Sequence, residues 1–216
     1  MRRRERRSAA RATTYKLCSL ALQYPDEEIL AARPDLLAAA FELPGSPGTA
    51  ALRRFCEWWA AADPLAVQQQ YVETFDLDKR CGLYLTFYDE GDRRQRGMTL
   101  LRLKRIYRAA GLPLEGSELP DYLPVMLEFA AAAPRFQGEI VLREHRAALE
   151  LLQCSLRDRG TPYVQVIDAI CLTVGESSAA DRARAMALAA GGPPQELVGL
   201  EPFTPPESVP SGEARR

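Results

Sequence analysis

The chain has 216 residues, of which 47% are hydrophobic and 26% charged, a globular composition that is long enough to bury a core. Its formal net charge of −1 excludes an overall field that would attract nucleic acid or an anionic membrane. No apolar run approaches the roughly 20 residues that span a bilayer, and no apolar stretch typical of an export signal follows the basic start. We therefore predict a cytoplasmic protein without stable membrane insertion.

Apolar residues recur at helical spacing from the first segment onward. Leu17, Leu20, Ala21 and Tyr24 fall at i, i+3, i+4 and i+7. The same spacing recurs further along, in Leu52, Phe55, Cys56 and Trp59, in Leu123, Met126, Leu127 and Ala130, in Val141, His145, Ala148, Leu149, Leu152 and Leu156, and in Tyr163, Val166, Ile167, Ile170, Cys171 and Val174. Each stripe predicts a helix with one buried face.

Prolines and glycines predict where these helices begin and end. Asp63-Pro64 and Thr161-Pro162 each place a capping side chain before a proline, which suits the first helical position. Pro34 and Pro124 also stand where apolar stripes begin, and a proline in a helix interior would cost about 3 kcal/mol. Glycines follow the stripes as helix stops, at Gly111, Gly160 and Gly175.

These elements predict an all-α, single-domain helical bundle of many short helices. We place a basic N-terminal tail at residues 1–8 and the helical domain at residues 9–190. Residues 191–216 are rich in proline and glycine and poor in periodic apolar residues, which predicts a flexible, disordered tail.

The sequence offers little for catalysis or metal binding. His145 is the one histidine, and it lies within an apolar helical stripe, where a core role is the more common one. The five cysteines are scattered without a C-x-x-C pair, which argues against a zinc site and a disulfide framework. No phosphate-binding, dinucleotide-binding or nucleophile-elbow motif is present. We predict no catalytic residue, no metal ligand and no cofactor.

A basic run, RRQRGMTLLRLKRIYR, occupies residues 93–108. Its arginines could contact an acidic partner or nucleic-acid phosphates. A solvated helix face balanced by Asp89, Glu90 and Asp92 is the simpler interpretation, and we predict no nucleic-acid partner.

Residues 71–131, YVETFDLDKRCGLYLTFYDEGDRRQRGMTLLRLKRIYRAAGLPLEGSELPDYLPVMLEFAA, resemble a known family. The resemblance rests on Tyr71, Phe75 and Asp76, on residues 91–97, on Tyr107, Gly111 and Leu112, and on the run from Glu118 through Pro124 to Glu128. Over this stretch the chain is similar to the NarJ family, the nitrate reductase molybdenum cofactor assembly chaperones. It departs from the wider group at Asp121-Tyr122, where relatives often have Asp-His, so this position supplies no imidazole.

The resemblance implies an all-α chaperone that catalyses no reaction. It would bind the newly made catalytic subunit of respiratory nitrate reductase, partly through that subunit's N-terminal peptide. It would hold the subunit in the cytoplasm until the molybdenum cofactor is inserted, before membrane attachment.

The segment ELPDYLP and the apolar residues around it are our candidate for a partner-peptide site. In plain physical terms the two prolines stiffen a linker that fixes the start of the next helix. We hypothesise that this helix is also one wall of a groove, with an opposite wall and an acidic rim, and that Tyr122 contributes to it. The predicted binding residues are Leu85, Tyr88, Leu103, Tyr107, Glu118, Asp121, Tyr122, Met126 and Phe129.

Three other functions stay open from the sequence. One is a chaperone for a different molybdenum oxidoreductase, another is a helical nucleic-acid-binding regulator that uses the basic run, and the third is an enzyme with an unfamiliar site around Asp121 and Tyr122.

Overall fold

A computed structural model describes residues 2–90 and 94–190. Eleven α-helices form within these ranges, joined by short 3-10 and π turns: α1 Arg2–Ala21, α2 Glu27–Glu42, α3 Pro47–Ala61, α4 Pro64–Tyr71, α5 Leu85–Glu90, α6 Arg94–Ala109, α7 Leu123–Ala132, α8 Gln137–Glu144, α9 Arg146–Arg159, α10 Val164–Val174 and α11 Ala179–Ala190. No strand forms in the described part, so the predicted all-α class is confirmed. The tail predicted at residues 191–216 lies outside the described residues.

Helix α10 occupies the middle of the bundle, and α1, α3 and α9 pack against it. Helix α7 lies along α1 and α8, while α2 covers α3 and α11 covers α9. At the centre, the ring of Tyr163 contacts those of Phe55, Trp58, Tyr71 and Phe75, with centroids 4.9–6.0 Å apart. Such offset and edge-on aromatic contacts contribute beyond simple burial. The bundle therefore has one continuous core that includes every long stripe predicted from the sequence.

Residues 2–8 are helical and belong to α1, whereas we had expected a separate basic tail at residues 1–8. Helix α1 begins at Arg2 and continues unbroken to Ala21. Arginine and alanine are both good helix formers, and no glycine or proline interrupts the segment.

The predicted cap at Asp63-Pro64 is confirmed, because the Asp63 carboxylate accepts hydrogen bonds from the N–H groups of Leu65 and Ala66. The prediction for Pro34 was wrong, since this proline lies inside α2. A proline there removes the hydrogen bond that the carbonyl of Leu30 would accept. Arg33 replaces it, because its Nε donates to that carbonyl at 3.1 Å.

The predicted cap at Thr161-Pro162 was wrong, because α10 begins later, at Val164. The Thr161 hydroxyl is instead buried 3.3 Å from the hydroxyl of Thr74. The local pattern predicted that the Thr161 hydroxyl caps a helix, but in the fold it contacts a residue far away in the chain.

The stripe from Val141 to Leu156 is divided between two helices, where the sequence pattern suggested one. His145 separates α8 from α9, with φ −101° and ψ 23°. Its Nδ1 lies 2.9 Å from the carbonyl oxygen of Val141, an acceptor that a continuous helix would use for the backbone N–H of residue 145. The buried histidine therefore has a structural role at this junction.

Helices α7 and α8 approach so closely that glycine is required at position 138. A Cβ atom built on Gly138 would lie 2.1 Å from the Cα atom of Ala130.

We expect Gly138→Ala to lower the free energy of unfolding by about 2–3 kcal/mol, because the two backbones must separate. Urea unfolding measures this change.

Gly97→Ala is the matched control, because a Cβ atom at Gly97 in α6 meets nothing within 4 Å. Alanine should leave stability unchanged or raise it by up to about 1 kcal/mol at this helical position. Equal stability of the two variants would contradict the close α7–α8 contact.

The buried thiols predict a loss of stability in alkali. Burial raises the pKa of Cys56 and of Cys171 to about 12. An unfolded thiol ionises near pH 8.5, so between these values only the unfolded chain releases the proton and is favoured. Each thiol should stabilise the fold fully below about pH 8.5, and this contribution should decline by up to about 1.4 kcal/mol per pH unit above it.

Urea unfolding in neutral and in alkaline buffer tests this dependence. Cys171→Ala should make the alkaline decline shallower, because one buried thiol is gone. Cys154→Ser removes an exposed thiol and should leave the decline unchanged. The same slope in Cys171→Ala as in the parent chain would exclude Cys171 as a source.

Candidate functional site

The segment between α6 and α7 is fixed by backbone pairing with the residues that precede α5. The N–H of Leu85 donates to the carbonyl of Asp121 at 3.1 Å, and the N–H of Leu123 donates to the carbonyl of Leu83 at 2.8 Å. Tyr84 and Tyr122 are thereby held side by side as an isolated antiparallel bridge. The linker predicted to set the start of α7 is therefore also a pairing partner for the entry to α5.

Asp121 is fully buried and forms an ion pair, whereas we had expected it on an exposed acidic rim. Its Oδ2 accepts a hydrogen bond from the Thr86 hydroxyl at 2.6 Å and one from Arg96 Nη2 at 3.2 Å. Arg96 Nε also donates to the Thr86 hydroxyl at 3.2 Å, so the three side chains form a closed network. The rim prediction was wrong because this carboxylate joins the start of α6 to α5 and the linker.

Glu118 and Tyr122 belong to a half-buried tyrosine cluster beside this network. Tyr84 donates to Glu118 Oε1 at 3.1 Å, and the Tyr122 hydroxyl lies 3.4 Å from that of Tyr71. Burial and the Glu118 carboxylate raise the pKa of Tyr84 to about 12, and burial raises the pKa of Tyr122 as well. Near neutral pH these phenols keep their protons, which favours a structural role over proton transfer.

The remaining predicted wall residues, Leu85, Tyr88, Leu103 and Met126, are buried in the core. Tyr88 donates its hydroxyl to the carbonyls of Arg80 and Gly82, which satisfies it internally. An exposed wall made of these side chains is therefore not present in this structure. Helical spacing failed here because a stripe that faces the core and one that lines a groove have the same period.

An open groove does lie nearby, between the end of α6, the loop that follows it and the outer face of α7. It has a volume of about 370 Å³, and we call it the α6–α7 groove; it is lined by Tyr107, Leu112, Pro113, Leu114, Glu115, Val125, Glu128, Phe129 and Ala132. Tyr107 and Phe129, both predicted for the site, form its base, with ring centroids 4.4 Å apart.

The loop side of this groove was missed by the sequence reasoning. Leu112 and Glu115 are exposed, and Val125 is partly so. On the other side, Glu128 forms a surface ion pair with Lys16 of α1 at 2.6 Å. The apolar LPL run directly after Gly111 could have indicated this side of the groove, because apolar residues that follow a helix stop do not belong to the helical stripe.

Two arginines of the basic run pair with acids elsewhere in the chain. Arg102 forms an ion pair with Glu144 at 2.8 Å, and Arg96 pairs with Asp121. Asp92 lies outside the described residues, and the side chains of Asp89 and Glu90 are also outside the description.

Within the described ranges, no group of three or more histidine, cysteine, aspartate or glutamate side chains could hold a metal ion. In these same ranges no helix is both long and apolar enough to cross a bilayer. Helices packed around one core, with an apolar groove bordered by acidic residues on its surface, define an all-α helical bundle.

Comparison with known proteins places the chain within this class. Residues 44–168, more than half of the chain, match the family described as nitrate reductase delta subunit. The chain is 38% identical over 158 residues to the probable nitrate reductase molybdenum cofactor assembly chaperone NarJ of Bacillus subtilis (strain 168), covering 73% of this chain and 85% of that protein. The chain belongs to the nitrate reductase delta subunit family.

Two further proteins are also similar in sequence to this chain. The nitrate reductase molybdenum cofactor assembly chaperone NarJ of Escherichia coli (strain K12) is 32% identical over 155 residues, covering 70% of this chain and 65% of that protein. The nitrate reductase-like protein NarX of Mycobacterium tuberculosis (strain ATCC 25618 / H37Rv) is 35% identical over 159 residues, or 74% of this chain but 24% of NarX. The predicted family is confirmed, as is the prediction of an assembly chaperone that is not an enzyme.

The Asp121–Arg96 pair should be a major contribution to stability. We expect Asp121→Asn to lower the free energy of unfolding by about 3 kcal/mol, because Arg96 keeps its charge in a largely buried position without a counter-ion. Urea unfolding of the single and double variants with Arg96→Gln measures the coupling.

Glu144→Gln is the control, since it removes the acid partner of Arg102 at the surface and should cost less than about 1 kcal/mol. Additive effects of Asp121→Asn and Arg96→Gln would contradict a direct interaction between the two side chains.

Proposed function

We propose that the chain is a system-specific chaperone for respiratory nitrate reductase. It binds the apo catalytic (alpha) subunit in the cytoplasm and assists molybdenum cofactor insertion and complex assembly before membrane attachment. The observation that carries this proposal is membership of a family in which close relatives are nitrate reductase molybdenum cofactor assembly chaperones. The five cysteines are all free thiols, which suits a reducing compartment.

We place the binding site of the client's N-terminal peptide in the α6–α7 groove. Its base is apolar, and its volume of about 370 Å³ suits a few anchoring side chains rather than a folded surface. A short amphipathic helix binds in such a groove through apolar residues on one face.

Acidic residues give the groove a preferred charge for its ligand. Glu115 and Glu128 both line it and are exposed. Basic residues beside the apolar anchors of the client peptide would pair with them, which adds to the association rate and to specificity. Glu128 already forms an ion pair with Lys16. A basic residue of the client would replace this surface ion pair, which contributes little to stability.

Val125→Asp tests this site, because it puts a carboxylate into the apolar part of the groove from a partly exposed position. Titration calorimetry with a synthetic peptide of the client's N-terminal segment should show saturable binding with a negative heat-capacity change to the parent chain. The variant should bind at least about tenfold more weakly, since burying an unpaired carboxylate is costly.

Leu77→Asp is the matched control, because it also replaces an apolar residue by aspartate, at an exposed position away from the groove. This variant should bind the peptide as the parent does. Equal loss in both variants would exclude the groove as the peptide site. Binding of a peptide from another molybdenum oxidoreductase, but not of the nitrate reductase peptide or apo-subunit, would leave the chaperone class intact and change the client.

A further inference from the structure

A second, larger cavity lies where the start of α1, the start of α3 and the end of α10 meet. Its volume is about 600 Å³, and it includes residues 44–49 and 172–175. Four arginines line it and no acidic residue does: Arg6, Arg7, Arg11 and Arg143. We call it the arginine cavity.

The positive charge of the arginine cavity is only partly neutralised, by one buried carboxylate. Arg11 lies 2.6 Å from the buried carboxylate of Glu139, and Arg143 lies 3.9 Å from the same group. Arg143 also donates to the carbonyl of Val174, at the end of α10. Arg6 and Arg7 are exposed and form no ion pair with a described residue. A net positive charge therefore remains around the opening.

Several other arginines on the described surface have a carboxylate partner. Arg80 and Arg159 both pair with Asp78, and Arg157 pairs with Asp168 at 3.0 Å. Acidic residues are as numerous as basic ones in the chain as a whole. A cavity lined by four arginines and by no carboxylate indicates a place for an external anion.

The backbone contributes partial charges of both signs, because the positive N-terminus of α3 and the negative C-terminus of α10 meet at this cavity. Helix α3 begins at the cavity with its first turn, and the N-terminus of a helix carries a partial positive charge. Gly48 in that turn allows α10 to approach, since a Cβ atom there would lie 3.0 Å from Thr173 Oγ1. The close packing brings the beginning of α3 and the end of α10 to one cavity wall.

We propose that the arginine cavity binds a small phosphate-bearing molecule. Guanidinium groups match phosphate oxygens in geometry and in charge. The volume suits a small ligand, and the exposed side chain of Leu172 at its edge offers an apolar contact for the rest of the molecule. This proposal stands apart from client recognition, because the cavity shares no residue with the α6–α7 groove.

Titration calorimetry of the full chain with inorganic pyrophosphate tests the site, at low and at physiological salt. We expect saturable binding that weakens with salt, and a loss on the order of tenfold or more in Arg6→Gln/Arg7→Gln. Arg105→Gln/Arg108→Gln on α6 is the matched control, because it removes the same charge from exposed arginines outside the cavity. It should bind pyrophosphate as the parent does.

Leu172→Glu provides a second variant, which adds a carboxylate at the edge of the cavity without changing α1. It should also abolish pyrophosphate binding, and circular dichroism should show an unchanged helix content. Absence of saturable binding by the parent chain, or an equal loss in both double variants, would overturn the proposal. Binding of a glutamate-rich peptide but not of pyrophosphate would overturn it as well, in favour of an acidic protein segment.

Discussion

The fixed segment between α6 and α7 determines the arrangement of the helices around it. Its backbone pairs with the residues before α5, and its Asp121 carboxylate holds Arg96 at the start of α6. Near the other end of α6, Tyr107 donates to the carbonyl of Pro120 at 2.7 Å, and Ser19 of α1 donates to that of Pro124 at 2.9 Å. Four helices therefore depend on one short stretch of backbone whose conformation the prolines already restrict.

The α6–α7 groove follows from this constraint. With α6 anchored at both ends and α7 starting directly after the fixed segment, the loop at residues 112–115 closes one side of the space between them. The base is rigid because the rings of Tyr107 and Phe129 pack together. A preformed apolar base lowers the cost of ordering a peptide on binding. The more exposed lining residues, among them Val125, Glu128 and those of the loop, are then left to adapt to a ligand.

Local sequence rules predicted those features that depend on neighbouring residues. Asp63 caps α4 as expected, because cap and helix are adjacent in the chain. Pro34 misled us because Arg33, which also donates to the carbonyls of Trp59 and Ala62, compensates for the lost hydrogen bond. Asp121 likewise looked like a rim residue until Arg96 and Thr86 were brought to it by folding. At Pro34 a neighbouring side chain replaced the lost hydrogen bond, whereas at Asp121 a contact between distant segments overrode the local preference.

The near-neutral total charge hides two surfaces of opposite sign. The α6–α7 groove carries exposed glutamates on apolar walls, whereas the arginine cavity carries guanidinium groups and no carboxylate. Exposed charges separated by more than about 8 Å are largely screened from each other at physiological salt, so we expect the proposed ligand of each surface to respond mainly to the charges of that surface. A net charge of −1 therefore excludes a strong overall field but does not exclude a basic partner at one surface and an anion at the other.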